Sequence, residues 1–349
     1  MKKILLIIAL VTTSITSFSQ VYYGLFEEGL PNNNTRLAAI ETEMGKKPGM
    51  CLLFMWLPNN VDVAGCNNLI SKGITPIITL EPGTSYVNII NGNYDTYFRT
   101  IADQLKQING TVFLRYAHEM NGNWYAWDGF HNGANATATA NYIAAWRRVH
   151  NIIKTEKGAN NVLWNWCVNG GSWPNEPWNQ HANYYPGDAY VDWIGFDSYD
   201  KPYNYTPTRY QSVEQTFGPV YNIITAIAPD KPVLIGEYAS ENFGHETDPH
   251  KADFFSQAST MFEKYPRVHA FSYFNVAKSN SGRWNDYRIN NPVALLPIFK
   301  TNWISNVNVI SGNAGIATLH IHKVVPATGT LRVEAENYFD LLGVKSEVC

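Results

Sequence analysis

Apolar positions along the chain gather into eight short, nearly unbroken runs. They are VYYGLF (21–26), GMCLLFMWL (49–57), TPIITLEP (75–82), TVFLRYAHE (111–119), NVLWNWCV (161–168), VDWIGFDSY (191–199), KPVLIGEY (231–238) and VHAFSYFN (268–275). Runs without polar alternation suit parallel strands covered on both faces. Between them the pattern changes to a helical period. It is clearest in TATANYIAAWRRVHNIIKTE (137–156), where Tyr142, Trp146, Val149 and Ile153 share one stripe. Further helical stretches cover 34–46, 93–108, 207–228 and 250–264. Eight strands alternating with helices predict an α/β chain folded as a (β/α)8 TIM barrel across 20–305. A doubly wound open sheet is the alternative, but no Gly-rich fingerprint follows the first strand.

Polar residues sit where several runs stop. Run three ends at Glu81, run four at Glu119, run six at Asp197 and Tyr199, and run seven at Glu237. In a parallel barrel those carboxyl-terminal ends converge on one mouth, where such folds place their chemistry. Outside the runs the character shifts. Residues 1–19 have two lysines, a short apolar stretch and small polar residues, and read as a signal peptide of an exported protein. Residues 306–331 have no helical period and many small residues, as a linker would, and 332–349 are too few to bury a core.

Composition sharpens this picture in one respect. The 349 residues include 11 Trp, 21 Tyr and 16 Phe, with many of the rings set in Gly/Asn-rich loops. Exposed flat rings suit the apolar faces of sugars. The formal charge of −3, with no basic run, argues against nucleic acid. No long apolar run other than the leader suggests a membrane partner, and the chain is expected to act as a monomer. Of Cys51, Cys66, Cys167 and Cys349, the first two form the most local possible pair, and structural or free thiols are expected throughout. No His/Cys/Asp cluster has metal-ligand spacing, so neither metal nor cofactor is called for.

Two carboxylates at the rim of a sugar-sized cleft can hydrolyse a glycosidic bond. One protonates the leaving oxygen while the other attacks the anomeric carbon or activates water. Strands four and seven face each other across an eight-membered ring, which favours the short separation of about 5 Å that goes with attack and retention. Apolar neighbours around Glu119 favour a protonated acid, whereas Arg115 and the Tyr199 hydroxyl would keep Glu237 ionised.

The motifs are specific. RYAHEMNGNW (115–124) resembles the acid/base motif of glycoside hydrolase family 26, IGEYAS (235–240) its nucleophile strand, and YYPGDAYVDWIGFDSYD (184–200) the segment between them. The resemblance spans about 21–305 and implies a retaining (β/α)8 hydrolase. It implies Glu119 as acid/base and Glu237 as nucleophile. His118 would contact sugar hydroxyls and the catalytic carboxylates, Arg115 would orient Glu237, and Tyr199, supported by Asp197, would donate to it. Trp124 would pack beside the reacting sugar and Trp284 would form a platform after strand eight. Trp173 and Trp178 would extend the cleft. Glu81 is read either as a substrate contact or as a strand-end ion pair, and at least one of Trp164 and Trp166, two apart on one strand face, as core.

The family's commonest substrate is β-1,4-mannan, with mixed-linkage β-glucan and β-1,3-xylan as alternatives. Several of its mannanases carry a sugar-binding His near the end of an early strand, where this chain has Glu81 in TLEPG. RVEAENYFDLLGV (332–344) resembles the start of a family 6 carbohydrate-binding module, which implies a truncated remnant with Glu334 and Glu336 as a possible ion site. The expectation is therefore a secreted retaining endo-β-glycanase acting on a wall polysaccharide, most readily β-1,4-mannan. A barrel that binds glycan without cleaving it is the rival.

Overall fold

Eight parallel strands close into a ring, because the last pairs with the first. The structure is a computed structural model that describes residues 20–200, 211–242, 249–280 and 283–316, with short strand segments at 326–327 and 330–331. The strands are β1 (Val21–Phe26), β2 (Met50–Trp56), β3 (Thr75–Glu81), β4 (Val112–Tyr116), β5 (Val162–Asn169), β6 (Trp193–Asp200), β7 (Val233–Ser240) and β8 (Val268–Phe274). They pair in chain order, and β8 closes on β1 from Tyr22↔Ala270 to Phe26↔Phe274. This is the expected TIM barrel, and all eight apolar runs are strands.

Helices fill the connections. They are α1 (Asn34–Met44), α2 (Val63–Ser71), α3 (Tyr86–Ile90), α4 (Asp95–Leu105), α5 (Ala136–His150), α6 (Val213–Ile227), α7 (Pro249–Ser256) and α8 (Ala258–Lys264). The Asn135 side chain caps α5 by accepting from the amides of Thr137 and Ala138, and the helix buries Tyr142, Trp146 and Val149 along the anticipated stripe. A Ser212–Gln215 capping box starts α6, later than the stretch predicted from residue 207.

Two apolar layers result. Inside the barrel floor, Tyr22, Met50, Leu52, Ile77, Phe113, Trp193, Leu234 and Ala270 pack together. Between strands and helices lies the larger outer layer, which takes in both Trp164 and Trp166. Strand β8 runs on into a hairpin of β9 (Ala277–Asn280) and β10 (Arg283–Asp286) beside the mouth.

The expected boundary at 305 needs correction. Strand β11 (Val309–Ile310) pairs with β1, Tyr22 donates from its hydroxyl to the Ala314 carbonyl, and Ile316 is buried against the floor cluster. Small residues made this stretch look like a linker. Its few β-branched positions are enough to seal the bottom of the barrel. The signal peptide at 1–19 and the segment 332–349, with Glu334, Glu336 and Cys349, lie outside the described residues. Cys51, Cys66 and Cys167 are free and buried, and burial pushes the Cys66 thiol up to about 12. Among the described residues no helix is long and apolar enough to cross a membrane.

Candidate active site

Neighbouring strands stack their inward residues in layers, and the layer above the floor is polar. Phe54, Thr79 and Arg115 are in register on β2, β3 and β4. Arg115 is fully buried; its Nε donates to Thr79 Oγ1 at 2.9 Å and its guanidinium lies over the Phe54 ring at 5.7 Å. One terminal nitrogen, Nη1, donates to both oxygens of Asp197 at 2.7 and 2.6 Å, and Nη2 donates to Glu237 Oε1. Burial opposes the guanidinium charge, but Asp197 and Glu237 more than offset it, so Arg115 stays protonated. The Cys167 thiol donates to Asp197 Oδ1 at 3.2 Å.

Glu237 reaches this layer through a break in the strand rhythm. On β7, Leu234 points to the floor and Ile235 to the outer layer, so strict alternation would send Glu237 outward. The β6–β7 register shifts here, because Phe196↔Ile235 is followed by Asp197↔Glu237. That bulge turns Glu237 toward Arg115 and leaves Tyr238 outside, stacked on Trp303 at 4.6 Å. Gly236 makes it possible. A Cβ there would lie 2.6 Å from Asp197 Oδ1, 2.8 Å from Cys167 Sγ and 3.0 Å from Arg115 Nη1.

The other Glu237 oxygen, Oε2, accepts from the Tyr199 hydroxyl at 2.5 Å. Burial and the Glu237 charge hold the Tyr199 pKa well above its usual value, so this donor keeps its proton. Both oxygens of Glu237 are therefore bound by donors that favour the anion.

Glu119 arrives differently. After Tyr116 the chain leaves the strand with Ala117 at φ 45 and Glu119 at φ 52. Left-handed non-glycine residues cost about 1–3 kcal/mol each and cluster where function fixes the backbone. The Glu119 amide is fastened to the Cys167 carbonyl at 3.0 Å, and Glu119 Oε2 accepts from Trp124 Nε1 at 3.0 Å. Glu119 and Glu237 both bear electrostatically on Glu81, Tyr125, Asp197 and Tyr199, so the two carboxylates share one mouth.

His118 is buried between them. Its Nε2 lies 3.8 Å from Glu237 Oε1 and 3.5 Å from the Tyr125 hydroxyl, and its Nδ1 has no hydrogen-bond partner among the described residues. Burial, with Arg115 and Lys278 nearby, holds its pKa well below the usual value, so the ring is neutral. The loop that follows is tied down. Buried Asp128 accepts from the amides of Tyr125 and His131, Trp127 Nε1 donates to the His118 carbonyl at 2.9 Å, and Tyr125 and Trp127 stack at 4.1 Å.

Most of the anticipated residues converge here: Arg115, His118, Asp197, Tyr199 and Glu237 meet directly, and Glu119 shares their mouth. Trp124 and Trp173 stay 43% and 51% exposed on one side, joined through the Trp173 amide on the Asn121 carbonyl at 2.8 Å. Glu81 is 3% exposed beneath the rim, near Arg115 rather than in a bonded ion pair. The Trp284 backbone belongs to β10, and its side chain lies outside the described residues. Sequence reading missed Thr79, Cys167 and Gly236. Thr79 had a signal, since it stands two residues before Glu81 on the same strand face.

The fold also groups donors that linear spacing did not reveal. One ligand atom each of His118, Asp197 and Glu237 lies within 4.8 Å of the others. The Arg115 guanidinium already engages both carboxylates, so a cation would have to displace a buried positive charge.

Paired glutamates opposed across a barrel mouth, over a buried arginine and beside exposed indoles, define a barrel of the glycoside-processing class. The sequence profile of Glycosyl hydrolase family 26 matches residues 67–266, and the chain belongs to that family. Endoglucanase H of Acetivibrio thermocellus is 32% identical over 234 residues, covering 66% of this chain and 24% of that protein. Mannan endo-1,4-beta-mannosidase A and B of Caldalkalibacillus mannanilyticus is 29% identical over 278 residues, covering 74% of this chain and 49% of that protein. The chain thus spans half or less of the length of these relatives. The catalytic domain of the Bacillus sp. JAMB-750 GH26 endo-beta-1,4-mannanase shares the fold at TM-score 0.62 and 17% identity, over 86% of this chain and 90% of that one.

Proposed function

We propose that the protein is an exported retaining endo-β-glycanase that cleaves a cell-wall polysaccharide, with β-1,4-mannan first among the candidates. The observation that carries this reading is the treatment of Glu237. Its two oxygens are held by Arg115 and Tyr199, while Glu119 enters the same mouth from the loop after β4, where the Trp124 indole donates to it. A carboxylate fixed by charge-assisted donors is suited to attack, and the second carboxyl of the same mouth to carry a proton.

In the first step the Glu237 carboxylate forms a bond to the anomeric carbon. The glycosidic C–O bond breaks, and Glu119 gives its proton to the departing oxygen. In the second step water attacks the glycosyl ester, Glu119 takes a water proton, and the Glu237 carboxylate is regenerated. Neutral His118, with Nδ1 unsatisfied, is placed to bond a sugar hydroxyl. The relatives named as mannosidases support mannan. A second reading, β-glucan, is favoured by the likeness to Endoglucanase H.

Export through the leader at 1–19, action as a monomer, and a catalytic domain separate from the segment 332–349 belong to the same proposal. Incubating the protein with mannan and mixed-linkage glucan while following the first-formed anomer by NMR tests it. The β-anomer is expected first, and Glu237→Ala should lose hydrolysis while keeping glycan affinity. Prompt formation of the α-anomer would overturn retention, and normal turnover by Glu237→Ala would overturn the assignment of the nucleophile.

A further inference from the structure

Trp56 was read from sequence as one more apolar residue in a strand, and the barrel register gives it a different position. It is the Cα partner of Glu81, and the Leu57 amide donates to the Glu81 carbonyl at 3.0 Å. Two residues earlier on the same strands, Phe54 and Thr79 point inward against Arg115. Side chains two apart share a face, so Trp56 and Glu81 stand one layer higher, at the rim of the mouth. The indole meets Trp127 edge-on at 5.8 Å and 70°, and the side chain stays 50% exposed. Gly83, at φ 59, passes beside it, and a Cβ there would lie 3.8 Å from the indole Cε3.

Glu81 supplies the second, independent observation. Its Oε2 is buried with no hydrogen-bond partner among the described residues. A buried unsatisfied polar atom is costly, and a ligand hydroxyl would remove that cost. Burial, only partly opposed by Arg115 and reinforced by Glu237 and Glu119, raises the carboxyl pKa to about 8, so at neutral pH it can donate as well as accept.

We infer that Trp56 and Glu81 form a sugar subsite at the β2–β3 corner, with the indole stacking on a pyranose face and the carboxyl bonding a hydroxyl of the same unit. This rests on the glycanase reading above. Around the rim the order is Trp56, Glu81, Glu119 with Trp124, then Trp173 on the loop after β5. The proton donor therefore falls between two aromatic platforms, and a chain threading both is cut internally.

Affinity of β-1,4-mannohexaose and of a mixed-linkage gluco-hexasaccharide is measured by calorimetry in the Glu237→Ala background, and cleavage positions in the active protein. Trp56→Ala is expected to weaken binding by about tenfold and to shift the cleavage point along the hexasaccharide, with Trp56→Phe restoring most of both. Glu81→Ala should weaken binding, and Glu81→Gln should retain it. Unchanged affinity and product pattern in Trp56→Ala would overturn the subsite, as would failure of both hexasaccharides to bind the parent. Trp56-dependent binding without hydrolysis by the wild-type protein would keep the subsite and sink the catalytic reading instead.

Discussion

The two ends of the barrel interior are built by the same strands to opposite specifications. At the floor, Leu52, Ile77, Phe113 and Leu234 pack against one another. One pleat higher the same strands present Phe54, Thr79, Arg115 and the Gly236–Glu237 bulge. The floor is held by dispersion and water exclusion, and its Tyr22 hydroxyl is satisfied at the edge by the Ala314 carbonyl. The mouth buries a cation and its carboxylates, which hold only while each has its partner. Stability and chemistry are thus separated by about two residues along each strand.

That separation can be broken from either side. The largest expected effect is Glu237→Ala, with kcat lower by about 10^4-fold or more and stability lowered less than in an Arg115 variant, because Arg115 keeps Asp197. Arg115→Met should damage both properties. It strands Asp197 and Glu237 without their cation, and losing one partner of a buried pair costs about 3–5 kcal/mol. Urea unfolding and turnover measured on the same sample would show the two losses together. Phe113→Ala sharpens the contrast from below. Phe113 lies edge-on to Trp193 at 5.1 Å, and its truncation should cost about 3–5 kcal/mol while kcat of the folded fraction is kept. A large kcat loss there would mean that the layers are mechanically coupled.

The floor was legible in sequence because continuous apolar runs admit few folds, and eight of them between helices leave little but a closed barrel. Glu119, Asp197, Tyr199 and Glu237 were legible because they end those runs. What stayed hidden depends on register. Thr79 and Trp56 look like ordinary strand residues until pairing places them beside Arg115 and Glu81. The bulge at Gly236 has no signal in composition, and the packing of Val309 and Ile316 against the barrel bottom is carried by too few residues to show a period.

Glu81 offers the smallest and most discriminating test, because it is a mouth residue whose burial resembles the floor. Arg115 from β4, Glu119 after it, Glu237 from β7 and Lys278 from β9 all act on it, yet burial dominates and its pKa rises to about 8. In the unfolded chain a glutamate titrates near ~4.3. Between those values the folded protein holds a proton that the unfolded chain has released, so stability falls as pH rises. The contribution is complete below about pH 4.3 and is lost on passing through pH 8. Glu81→Gln has no proton to lose, so its stability relative to wild type should grow by about 2–4 kcal/mol from pH 5 to pH 8. Comparing the two proteins cancels the opposite slope contributed by neutral His118. A difference that stays flat across that range, read from urea midpoints, would place the carboxyl in water and remove the buried donor from the β2–β3 corner.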